Sequence, residues 1–212
     1  MTGKKDIENT EEKIFNAAKK VFVEKGSDGA RMQEIANEAG INKSLLHYYY
    51  RSKEKLFAAV FEFFASKFFP NIFEVFNSDE DIFIKIEKFI HAYINMLRKN
   101  PFIPMFMLNE IRKGNASFAI KVISKSGVEG KTFEQVINAE IEKGNIKPIN
   151  PKHLILNILS LVIFPFISRP IAEVLVFEGN TKAYDEFLEQ RKEEVTHIIT
   201  EMLKPQSKSS DD

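Results

Sequence analysis

Apolar positions recur along the chain with a helical period. Ile14, Ala17, Ala18, Val21 and Phe22 form one stripe within residues 10–25, at the i, i+3, i+4, i+7 spacing of an amphipathic helix. Thr10 suits its N-cap and Gly26 its C-terminal stop. Two short helical segments follow, at 31–38 and 43–49. Gly40 between them suits a left-handed turn, and Asn42 suits the cap of the second. Ser52 opens a long helix over 53–76, apolar on more than one stripe, in which Pro70 predicts a kink or break. The run "SDED" (78–81) is a capping-box pattern ahead of "IFIKIEKFIHAYINML", and Asn100–Pro101 ends that helix.

The pattern continues in the second half. A helix is expected over 102–113, then a short helix and loop over 114–127. "TFEQ" (132–135) is a second capping-box pattern, for a helix ending at Gly144. Asn150–Pro151 reads as a cap with Pro in the first turn of a helix that Pro165 should bend and Pro170 restrict. A last helix is expected over 181–203, with Tyr184, Phe187, Leu188, Val195, Ile198, Ile199, Met202 and Leu203 on one broad face. No strand period emerges. The fold class is all-α: an N-terminal three-helix domain (1–52), a larger helical domain (53–204) and a disordered tail (205–212).

Composition narrows the chemistry. Basic and acidic residues balance at 30 each, so net charge points to no polyanionic partner. Their distribution does: Ala39–Lys55 holds Lys43, Arg51, Lys53 and Lys55 against Glu54 alone. The absence of cysteine excludes disulfides and thiolate catalysis, and fits a cytoplasmic location. The N-terminus has no apolar signal-peptide core. The apolar run 154–167 is interrupted by Asn157, Ser160 and Pro165, which argues against a membrane partner. His47, His91, His153 and His197 are scattered, so no metal or other cofactor is expected. "GVEGKT" (127–132) approximates a phosphate loop but has Lys125 where glycine is required. No catalytic constellation stands out, and the protein is not expected to be an enzyme.

Two short helices joined by a glycine turn in a basic setting suggest a helix-turn-helix. With Leu46 facing inward, Tyr50 falls on the same side of the wheel, while Ser44, Leu45, Tyr48 and Tyr49 fall opposite and Lys43 and His47 lie on a flank. Periodicity alone is equally consistent with ordinary core packing of these aromatics. Residues 1–55, through Ile14, Ala17, Ala18, Phe22, Gly26 and "QEIANEAGINKSLLHYYYRSKEKL", resemble the N-terminal domain of the TetR family of transcriptional regulators. The segment "IFPFISRPI" (163–171) is similar to one from that family's dimerisation region.

The resemblance implies a homodimer on double-stranded operator DNA, released by a small-molecule effector. It implies DNA contacts at Arg31, Gln33, Lys43, Ser44, Leu45, His47, Tyr48, Tyr49 and Lys53. The chain departs from the family at Ala30, which cannot cap through its side chain, and at His47, where tyrosine is common. An effector pocket is expected at Phe61, Phe64, Phe68, Tyr93, Met96, Phe102, Met105 and Phe106, lined for an apolar ligand. A dimer interface is expected on Leu154, Ile158, Leu161, Phe187, Val195, Ile198 and Met202. The competing reading is a helical small-molecule binding protein without sequence-specific DNA binding.

Overall fold

A computed structural model describes residues 2–112 and 132–205; the predicted short helix at 114–127, the phosphate-loop-like run before Thr132 and most of the tail lie outside them. Nine helices and no strand occur among the described residues. They are α1 (Thr2–Gly29), α2 (Met32–Glu38), α3 (Lys43–Tyr49), α4 (Lys53–Asn77), α5 (Ile82–Lys99), α6 (Ile103–Arg112), α7 (Phe133–Glu142), α8 (Pro151–Leu175) and α9 (Thr181–Leu203). The chain divides into two compact units. The first holds α1–α3, α4 as far as Phe68, and α6; the second holds the rest of α4 with α5, α7, α8 and α9.

In the first unit the predicted stripe of α1 is the core. Ile14, Ala17, Ala18, Val21 and Phe22 are buried together with Ile35, Ala36 and Leu46. Phe22 meets Phe57 at 4.4 Å between ring centroids, and Phe102 meets Phe57 edge-on at 5.4 Å. Helix α1 begins at Thr2 and continues past Gly26, so Thr10 and Gly26 are not its ends. One glycine inside a helix costs only about 1 kcal/mol relative to alanine.

In the second unit Ile82, Ile86, Phe89, Ile90, Ile94 and Leu97 form the buried stripe of α5. Asp81 opens that helix, its Oδ1 accepting from Phe83 N at 2.8 Å. Thr132 and Gln135 form the predicted capping box of α7, with Thr132 N donating to Gln135 Oε1 at 2.8 Å. Asn150 caps α8 by accepting from Lys152 N at 2.9 Å. Glu178 and Gly179, with φ of 52° and 79°, reverse the chain, and Asn180 then caps α9. Pro70 does not break α4 and Pro165 does not break α8: both helices run on past their prolines. Each proline removes one backbone hydrogen bond, and the buried Ile72 and Phe76 beyond the first, and Phe166 beyond the second, hold the helix in register.

Three of the residues expected at the interface need correction here, while Ile198 is exposed. Leu154, Ile158 and Val195 are fully buried within their own unit, so they cannot also face a second copy. The apolar surface of α8 lies on another stripe: Leu156, Phe164, Ile171, Val174 and Leu175 are all more than 60% exposed.

Candidate nucleic-acid interface

The first unit aims α3 through a short series of local bonds. Ala39 N and Gly40 N close the end of α2 on Ile35 O and Asn37 O, at 2.9 and 3.1 Å. Gly40 takes a φ of 65°, which a side chain would resist, and the chain turns sharply. Ile41 N then reaches back to Ala36 O at 3.0 Å. Asn42 caps α3, its Oδ1 accepting from Leu45 N at 2.7 Å. With both ends of the turn fixed, Leu46 is driven to 0% exposure in the core.

That single buried residue decides where the others point. Lys43, Ser44 and Tyr48 are exposed, Tyr48 to 81%. Leu45, His47 and Tyr49 are half-buried. The Tyr48 and Tyr49 rings meet edge-on at 5.5 Å, which props the outer tyrosine away from the core. Tyr50 turns inward, its ring 6.2 Å from Phe15 and its hydroxyl donating to Glu11 Oε1 at 3.4 Å. Burial, reinforced by the Glu11 carboxylate, pushes its phenol up to about 12. The three consecutive tyrosines therefore have three different environments.

His47 faces its own chain. Its Nδ1 lies 3.3 Å from Arg51 O, tying the end of α3 to the turn before α4. Ser52 caps α4, its Oγ accepting from Lys55 N at 3.3 Å. Half-buried Lys53 stands in the first turn of that helix.

At the start of α2, Ala30 is buried and Arg31 is the N-cap residue, with its side chain exposed. The cap is supplied from the far side of the turn: Arg31 N donates to Glu34 Oε2 at 3.1 Å. Glu34 Oε1 accepts from Lys25 Nζ at 2.8 Å, a bond that also holds the Glu34 carboxyl below its ordinary value. The sequence showed that Ala30 cannot cap through its side chain but not that Glu34, three residues after Arg31, supplies the bond. Gln33 is exposed, its amide donating to Asn37 Oδ1 at 2.9 Å.

The structure thus places Arg31, Gln33, Lys43, Ser44 and Tyr48 on exposed positions at the starts of α2 and α3 and at the outer side of α3. The pocket candidates are more dispersed. Phe102 is packed against Phe22 and Phe57, Phe61 is buried, Phe68 is half-buried and Met105 is exposed, all in the first unit. Tyr93 and Met96 are half-buried on α5 in the second. The side chains of Phe64 and Phe106 lie outside the described residues.

The model for bacterial regulatory proteins of the tetR family matches residues 14–60, and the model for the YcdC-like protein C-terminal region matches residues 67–206. The chain is 27% identical over 208 residues to the HTH-type transcriptional regulator RutR of Escherichia coli O157:H7, covering 96% of each. Its N-terminal part is 39% identical over 61 residues to the HTH-type transcriptional repressor NicS of Pseudomonas putida, 29% of each chain. Among solved structures, the fold is similar to the transcriptional regulator FadR from Bacillus subtilis in complex with stearoyl-CoA, at a TM-score of 0.63 and 15% identity over 90% of this chain and 97% of that one. It is similar also to a transcriptional regulator from Cytophaga hutchinsonii, at a TM-score of 0.60 and 23% identity over 91% and 97%. A helix-turn-helix unit matched by one model and a helical domain matched across its length by another show that the chain belongs to the TetR family of transcriptional regulators.

Proposed function

We propose that the protein is a homodimeric repressor whose α3 reads operator DNA and which a small apolar effector releases. The observation that carries this reading is the sidedness of α3: Leu46 is fully buried while Lys43, Ser44 and Tyr48 face outward. A helix so placed enters the major groove by its N-terminal end. Ser44 then reaches base edges, Lys43 a guanine or a phosphate, and Leu45 a thymine methyl. Tyr48 and Tyr49 bond phosphate oxygens while their rings pack on sugar, and Arg31, Gln33 and Lys53 add contacts to the flanking backbone. His47 acts at one remove, by holding the Arg51 carbonyl. Such a protein works in the cytoplasm, where the DNA is.

The exposed apolar stripe of α8 supports pairing of α8 and α9 with a second copy. Helices α4 and α8 are long and apolar enough to cross a membrane by length and composition. Arg169 and Glu173, paired at 3.3 Å near the C-terminal end of α8, fit a protein–protein face better than a bilayer. A dimer places two reading helices on half-sites about 34–36 Å apart. Effector release follows if the ligand prefers one of two conformations. Phe102, which precedes α6, touches both Phe22 of α1 and Phe57 of α4, so a shift of α6 is felt in the core beneath the reading helix. The stearoyl-CoA held by FadR is a precedent for an apolar effector on this fold.

Gel shifts with the DNA upstream of the protein's own gene, titrated with salt, test the reading. Sequence-selective binding is expected, with the slope of log affinity against log salt reduced by about 1 in Lys43→Ala. Binding no tighter than to random duplex at every salt concentration would favour a helical small-molecule binding protein instead.

A further inference from the structure

Pro165 lies in the interior of α8. A proline has no amide hydrogen, so the carbonyl four residues earlier, that of Leu161, loses its donor within the helix. The donor comes from α9 instead: Arg191 Nη2 donates to Leu161 O at 3.3 Å. One turn further along α8, Tyr184 of α9 donates its hydroxyl to Pro165 O at 2.5 Å. Residues 184 and 191 are two turns apart on one face of α9, so that helix grips both ends of the proline turn.

The placement of Arg191 is costly, which makes it informative. Its Nε–H is buried and has no acceptor among the described residues. An orphaned buried donor is unfavourable, and an arginine on a surface helix has the length to turn out into water. Here the guanidinium stays in, over the Phe187 ring at 5.8 Å, and completes the Leu161 carbonyl. The same turn borders an apolar groove of about 500 Å³, lined by Leu156, Leu161, Ile163, Phe164, Pro165 and Arg191 among others. Phe164, next to the proline, is 65% exposed. A patch that holds both a groove and a protruding ring is self-complementary, the requirement of a two-fold contact.

We infer that Arg191 is a positioning residue for self-association: by donating to the carbonyl that Pro165 strands, it holds the proline turn of α8 and with it the groove that seats Phe164 of a second copy. The inference rests on the dimer reading above. Replacing Pro165 by alanine restores an amide for Leu161 O and removes the need for Arg191. The test is therefore a double-mutant cycle of Pro165→Ala and Arg191→Ala, read as dimer dissociation constant by sedimentation and as thermal midpoint at fixed concentration. Arg191→Ala is expected to weaken the dimer about tenfold when Pro165 is present, and less than about threefold when it is absent. Arg191→Lys, which keeps a donor, is expected to recover part of the loss. Equal losses in both backgrounds would overturn the inference. If Arg191→Ala alone fails to fold, recovery of the fold in the double variant supports it and failure to recover refutes it. A wild-type protein that sediments as a monomer removes the dimer reading, and with it the seat for Phe164; the cycle on thermal midpoints still decides whether Arg191 serves the proline turn.

Discussion

In α3 one local bond, Asn42 to Leu45 N, together with the left-handed Gly40, settles where the helix starts and so which residues it shows. In α8 the start is just as local, through Asn150 and Pro151, but it does not settle the facing. Helix α3 carries a single buried residue among polar and aromatic ones, so its inward side is unambiguous. Helix α8 is apolar on nearly every side, and only its neighbours choose between the Leu154–Ile158–Val162 stripe and the Leu156–Phe164–Ile171 stripe. A short helix with one apolar anchor is aimed by its caps, whereas a long helix apolar all round is aimed by tertiary packing.

The sharpest way to break the comparison in the first unit is to separate anchor from reader. Leu46→Ala removes a fully buried side chain and is expected to cost about 2–5 kcal/mol of stability, seen in denaturant titration. Tyr48→Ala, at an exposed position, is expected to change stability by less than about 0.5 kcal/mol while weakening DNA binding. If Tyr48→Ala left operator affinity intact, the outward face of α3 would not be the reading face.

The matching pair in the second unit sets Ile158 against Phe164. Ile158→Ala is expected to destabilise the protomer by about 2–5 kcal/mol. Phe164→Ser is expected to leave the protomer folded and raise the dimer dissociation constant by about 30-fold. Sedimentation across a concentration series reads the second and thermal unfolding the first. An unchanged dimer in Phe164→Ser would move the interface off this stripe.

These pairs follow what was legible beforehand. The caps at Asn42, Ser52, Thr132 and Asn150 could be read from residue type and spacing, because a cap is a bond between near neighbours. The division of HYYY was legible from the wheel only in part: Leu46 supplied the reference direction, Tyr48 is exposed and Tyr50 is half-buried against Phe15, but Tyr49, expected outward, is half-buried as well. The extent of α1 was not, since a glycine permits a helix to stop but does not impose it, and the helix runs on to Gly29. Neither was what supports α8 at Pro165, because the donor that completes Leu161 O comes from Arg191, thirty residues away in sequence. His47 showed its residue type but not its partner, the Arg51 carbonyl, which depends on how the turn before α4 folds back.

The smallest expected difference lies in two tyrosines, one in each unit. Tyr50 and Tyr93 both have phenols pushed from 10.0 up to about 12, Tyr50 by burial with help from Glu11, Tyr93 by burial alone. A raised phenol pKa means the folded state holds its proton more tightly than the unfolded chain. Below pH 10 both states are protonated and the stabilising contribution is complete; between 10 and about 12 the unfolded chain ionises first, so stability falls as pH rises. Tyr93→Phe is expected to flatten that alkaline loss. Tyr50→Phe is expected to flatten it too, with a slight loss at neutral pH from the missing bond to Glu11. Denaturant titrations from about pH 9 to pH 12 read both. An alkaline slope unchanged in both variants would mean that neither phenol is held from water in solution, and that the inward turn of Tyr50, on which the sidedness of α3 partly rests, is wrong.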